Sequence, residues 1–226
     1  MAKNDCKSLQ PVFPTANLAI RREVFDEIGA FDTTCNISGE DADLCIRVSK
    51  TKWEIFFEKR AIVRHKYRTS LRGLLKQWYS YGMSQPYIFK KYAPQGLEIC
   101  YPDKKSTLDW SSLRFNKICG IPVGMHILIF VTPFHIFNII LIFALLAAIL
   151  GAHILSMALL GGWLLGHLCL SGEDFFRNVI LKKNTRWFVY SFFRYLLNWA
   201  HVMGSFLEGI KIGVLYFGVT RERTPA

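Results

Sequence analysis

Between Ile121 and Leu170 the chain runs for 50 residues without a single Asp, Glu, Lys or Arg. A membrane span needs roughly 20 consecutive apolar residues, so this length predicts two helices rather than one. The expected hairpin occupies 125–149 and 154–170, with Gly151-Ala152-His153 as its turn and Pro133 inside its first helix. Lys104, Lys105, Arg114 and Lys117 precede it, and Arg177, Lys182, Lys183 and Arg186 follow it. Basic flanks on both sides predict that both ends face the cytoplasm, the topology of a multi-pass protein of a bacterial-type inner membrane. Residues 1–120 carry 20 Lys+Arg and 13 Asp+Glu, against 8 and 4 in 121–226. The main boundary is therefore expected at Gly120, with a water-soluble part before it.

The net charge of +11 suits a nucleic-acid binder or a protein that meets an anionic surface and phosphorylated ligands. No zinc-finger spacing or RNP-like aromatic block is present, so nucleic acid is not an expected partner. The six cysteines contain no C-x-x-C pair and read as reduced thiols. Residues 1–12 lack the apolar run of a signal peptide.

Along the first part, Thr15–Ile20 reads as a short strand and Arg21–Ile28 as a helix stopped by Gly29. Ser38 is placed to cap a second helix that begins near Glu40, with Asp41 completing a capping-box-like spacing. Trp53–Phe57 and Ala61–Val63 read as strands. Ser70 opens a long helix to about Tyr92, with Pro86 as a potential kink. From Lys59 to Lys91 there are nine basic residues and no acidic one, a one-sided charge interleaved with Trp78, Tyr79, Tyr81 and Tyr87. Residues 93–120 read as irregular. Trp187–Gly218 is apolar but holds Arg194, His201, Glu208 and Lys211, which predicts an interfacial amphipathic helix, with a third span as the alternative.

Three segments carry chemistry: N-L-A-I-R-R-E-V-F-D-E-I-G-A-F-D from Asn17, G-E-D-A-D-L-C-I-R from Gly39, and A-I-V-R-H ending at His65. Over about residues 13–85 the combination resembles the second, acceptor-side half of the catalytic domain of family 2 glycosyltransferases. The resemblance implies a partial GT-A fold. The fold class it predicts is an α/β fragment without its nucleotide-binding half, followed by an α-helical membrane region. The expected divisions are 1–92 for the catalytic half, 93–120 for a linker, 121–170 for the hairpin and 171–226 for a cytoplasmic loop with a further helix.

Sugar transfer with inversion needs a base that removes a proton from the acceptor hydroxyl. By resemblance Asp41 is that base, and Glu40 orients the base or the acceptor. Read without the flanking pattern, both would simply be helix N-terminal carboxylates that complement the macrodipole. Asp41-Ala42-Asp43 is formally D-x-D, but it opens a helix instead of closing a strand, so a metal role is rejected. Asp43 and Arg47, four residues apart, are expected to pair on the helix, and the resemblance adds that such an Arg supports the site. It also makes Asn17 and Arg21 candidates for contact with donor or acceptor. Arg68 and Arg72 are candidates for the diphosphate leaving group or lipid headgroups, and His65 for a metal or diphosphate ligand. The Q-x-x-R-W element of processive members is not reproduced at Gln77-Trp78.

What the resemblance implies is a nucleotide-diphosphate sugar as donor and a lipid-linked or cell-envelope saccharide as acceptor, at a membrane. A divalent cation, Mg2+ or Mn2+, would be held mainly by the nucleotide half. Roughly 100–150 residues of βαβ structure would be expected ahead of Val12. Without them the chain is expected to be a fragment, or to work with a separate donor-half polypeptide, and to be inactive alone. A non-catalytic membrane subunit that retains the motifs as a docking surface is the alternative.

Overall fold

The computed structural model describes residues 4–5, 13–35, 38–56, 58, 60–66, 68–102, 110–131, 133–175 and 186–218. In chain order these form β1 (Asn4–Asp5), a 3-10 turn (Thr15–Asn17), α1 (Arg22–Ile28), α2 (Glu40–Val48) and α3 (Leu71–Tyr92). There follow β2 (Gly96–Pro102), β3 (Trp110–Phe115), β4 (Lys117–Ile118), β5 (Ile121–Pro122) and β6 (His126–Phe130). The chain continues through α4 (Pro133–Ile149), α5 (His153–Phe175), α6 (Arg186–Lys211) and β7 (Val214–Phe217).

The sheet has the order β1-β3-β2-β6-β7. β3 lies antiparallel to β1 and β2, whereas β6 is parallel to β2 and to β7. It is built largely from the stretch that reads as irregular in sequence. Phe89 at the end of α3 closes a core with Cys100, Leu128, Phe130, Val214 and Tyr216, so residues far apart in sequence share one apolar layer. Glu98 on β2 is buried and pairs with Arg114, its register partner on β3. β4 and β5 form a hairpin whose two loop residues, Cys119 and Gly120, both have positive φ (50° and 82°). That is the type I′ turn favoured in two-residue hairpins. Gly120, where the composition shifts, is the second residue of this turn.

The predicted fold class and membrane placement are both corrected. Among the described residues no helix is long and apolar enough to cross a membrane. The uncharged stretch begins as strands β5 and β6, so part of its length is spent in the sheet. α4 has 17 residues, which at 1.5 Å per residue is about 25 Å. That falls short of the ~30 Å hydrocarbon layer. Among the described residues no separate α-helical membrane region stands apart from the mixed α/β architecture, which contradicts the expected multi-pass inner-membrane topology. α4 and α5 pack on each other about a turn at Gly151, burying Ala144, Ala147 and Ser156.

α6 is likewise not long and apolar enough over its described residues to cross a membrane. It crosses α3 at very close range. A methyl group on Gly82 would run into the carbonyl of His201, and one on Gly204 into the carbonyl of Tyr79. Pro86 sits buried within α3, which continues through it.

Candidate active site

Arg21 has extended backbone (φ −67°, ψ 145°) and caps α1, which ends at Gly29 with φ 80°. The chain then turns through Phe31, whose ring lies 6.0 Å from that of Phe25. Gly39, at φ 94°, starts α2 with no side-chain cap. Ser38 does not cap the helix as expected; its hydroxyl donates to the Ser80 carbonyl on α3 at 3.0 Å. Glycine is required at 39 twice over, by its left-handed backbone and because a Cβ would stand 2.9 Å from that of Ser84. This close approach sets the start of α2 against α3. Leu44, Cys45 and Val48 anchor the helix in the interior.

A cleft of about 1690 Å3 runs beside this helix start. Of the sequence-predicted residues, Glu40, Asp41, Asn17, Arg21, His65 and Arg68 line it. Asp43, Arg47 and Arg72 do not. Asp41 Oδ1 accepts from the backbone N–H of Ala42 at 2.8 Å. Burial raises the Asp41 pKa above the ordinary carboxylate value, and the negative charge of Glu40 adds to this, outweighing that hydrogen bond. Asn17 Nδ2 donates to the carbonyl of Ala61 at 2.7 Å, so this amide ties the two extended segments of the cleft wall together. Those segments, 18–21 and 60–66, carry no strand pairing, unlike the sequence expectation. The residues at 53–56 are also unpaired, held to α1 by Trp53 Nε1 donating to Glu27 at 2.7 Å.

Two residues apart on a helix, Asp41 and Asp43 point in different directions. Asp43 is completely buried, and its carboxylate accepts from Arg47 Nε at 2.8 Å, Lys91 Nζ at 2.5 Å and the Tyr92 hydroxyl at 2.5 Å. Lys91 also donates to Asp32 at 2.6 Å. Arg47 donates onward to the carbonyls of Ile28, Gly29 and Ala30. Burial pushes the Asp43 pKa up, but the hydrogen bonds from Lys91, Tyr92 and Arg47 prevail and hold it low. The cluster clamps the end of α1, the Phe31-Asp32 turn, α2 and the end of α3. The Asp43–Arg47 pair was legible at i, i+4; Lys91 and Tyr92 were not, because nothing local links them to residue 43.

Trp78, Tyr81 and Gln85 of α3 also line the cleft, as does His201 of α6. His201 was missed as a site residue, and only the α3–α6 crossing brings it there. Its ring meets that of Trp78 edge-on at 6.3 Å.

The described residues do not fit a complete metal site. No group of three or more His, Cys, Asp or Glu among them could hold an ion. His65 stands on the cleft wall without such a set.

A family model described as glycosyl transferase family group 2 matches residues 3–217. Two curated relatives, each named pre-mycofactocin glycosyltransferase, come from Mycobacterium tuberculosis strains CDC 1551 / Oshkosh and ATCC 25618 / H37Rv. Each is 35% identical over 95 residues, which cover 42% of this chain and 18% of the relative. The chain therefore matches less than a fifth of the length of these relatives. No solved structure matches it. The family match runs far beyond the motif region expected to end near residue 85, so the sheet and later helices lie within the matched region. On a match covering nearly its whole length, the chain belongs to glycosyl transferase family group 2.

Proposed function

We propose that the protein transfers a sugar, with inversion, from a nucleotide-diphosphate sugar to a hydroxyl of a saccharide acceptor, with Asp41 as the general base. The observation that carries this reading is the position of Asp41: on the cleft wall, at the rigid start of a helix, with its proton affinity raised by burial. A base whose pKa is raised accepts a proton more readily. Asp41 removes the acceptor proton as that oxygen attacks the anomeric carbon. The bond from that carbon to the phosphate oxygen breaks on the opposite face, and the nucleoside diphosphate leaves. Glu40, next to it on the cleft, orients the acceptor, and Trp78 offers an aromatic face to a sugar ring. The Asp43 cluster does no chemistry; it fixes where the α2 start lies.

We further propose that the donor nucleotide is held by a βαβ polypeptide segment beyond these residues, in the same or a separate chain. The test is transfer from a panel of nucleotide-diphosphate sugars, with the chain alone and co-expressed with such a segment. Asp41→Asn should reduce transfer about 10²- to 10⁴-fold without changing the fold. Unchanged transfer in that variant would refute the assignment.

A further inference from the structure

A smaller recess of about 380 Å3 opens off the cleft beneath the first turns of α3. It shares Ser38, Arg68, Gly73, Gln77 and Tyr81 with the cleft, and Lys76 and Ser80 complete it. Its charge is one-sided, with two cations and no carboxylate on the wall. Among the described residues neither Arg68 nor Lys76 forms an ion pair, although other cations do, such as Arg60 with Glu58 and Lys91 with Asp32.

The neutral groups are largely engaged with one another and with the backbone. Gln77 Nε2 donates to the Tyr81 hydroxyl oxygen at 2.7 Å, which leaves the phenolic proton to point elsewhere. The hydroxyls of Ser38 and Ser80 are committed to backbone carbonyls, so neither presents its proton to a guest. The positive end of the α3 dipole, capped by Ser70 at Gly73, has the same sign as the two cations. The volume lies at the small end of ligand pockets, roughly 300–1,000 Å3, which suits a compact anion better than a nucleotide.

We propose that this recess is a phosphate subsite and that the group it holds belongs to the acceptor, which is therefore a phosphorylated saccharide. The inference rests on Asp41 being the base, because the shared wall then puts the acceptor's anionic end in the recess and its reacting hydroxyl in the cleft. Arg68 supplies a planar fork for two phosphate oxygens, and Lys76 a mobile point charge.

The test is binding of glucose 1-phosphate, glucose, inorganic phosphate and UDP to the full chain by calorimetry and 31P NMR. Glucose 1-phosphate should bind at millimolar concentration or below, and glucose about tenfold more weakly. The Arg68→Ala/Lys76→Ala variant should lose about tenfold in glucose 1-phosphate affinity with unchanged circular dichroism, since both side chains are exposed. Saturating UDP should leave that affinity intact. Competition by UDP would assign the recess to the donor's leaving group and overturn the acceptor assignment. Equal binding by variant and wild type, or no binding of glucose 1-phosphate, would overturn the subsite itself. Asp41→Asn should bind glucose 1-phosphate normally, so loss of transfer in that variant and loss of binding in the double variant report on separate claims.

Discussion

Asp41 and Asp43 show how two identical side chains on one turn of helix acquire different properties. Asp41 is half-buried beside open space, and burial raises its pKa. In the proposed mechanism the ionised form is the active base, so transfer should decline as the pH falls through this raised value. The acid limb of kcat/KM should therefore lie above the ordinary aspartate value of about 3.9 and vanish in Asp41→Asn. Asp43, fully enclosed, has its pKa lowered by the three donors around it. A lowered pKa in the folded state means that the carboxylate's stabilisation is complete above about pH 4 and is lost as the pH falls through the folded value. Asp43→Asn leaves Arg47 and Lys91 without their shared counter-charge. It should cost about 2–4 kcal/mol, read as a lower urea midpoint with an unchanged slope.

At the scale of elements, the contact that decides the architecture is the α3–α6 crossing. The two helices approach until backbone meets backbone at Gly82 and Gly204. Gly82→Ala should destabilise the chain by roughly 1–3 kcal/mol or more, because the obstacle is a carbonyl and not a side chain that can swing away. Gly161→Ala on α5, where a Cβ meets nothing, should be neutral or stabilising by up to about 1 kcal/mol. Thermal unfolding of the two variants side by side checks this; equal effects would mean that the helices do not approach so closely. The same crossing delivers His201 to the wall of the cleft, so loosening it should also disturb the site.

For the whole molecule, His201 couples acid pH to stability. It is buried, its Nδ1 has no hydrogen-bond partner, and burial lowers its pKa to about 4 despite a hydrogen bond to the Gly218 backbone. The unfolded chain binds this proton near pH 6.5, which the folded chain resists. Stability should therefore be full above pH 6.5 and fall as the pH drops from about 6.5 to about 4, by at most about 3 kcal/mol. His201→Leu should flatten that slope when unfolding is compared at about pH 7 and about pH 4.5. Asp43 acts below this window, so the two effects separate along the pH axis.

The short-range features were legible because each depends on residues a few positions apart. Arg21–Gly29 announces a helix and its stop, Ser70 a helix start, and Asp43 with Arg47 an ion pair one turn apart. The G-A-F-D and G-E-D-A-D-L segments carried the family likeness and the nomination of Asp41. Over Ile121–Leu170 the helical hairpin and its turn at Gly151 were legible, but residues 126–130 form strand β6, and an absence of charge did not tell helices packed on a domain from helices crossing a bilayer. Pairing energy is realised only between partners, so β2, β6 and β7 exist through one another and cannot be read from any one of them. Lys91 and Tyr92 on Asp43, and His201 on the cleft, were likewise decided by tertiary structure. Local sequence carries torsional preference and periodicity, but it does not carry which distant surfaces will exclude water together.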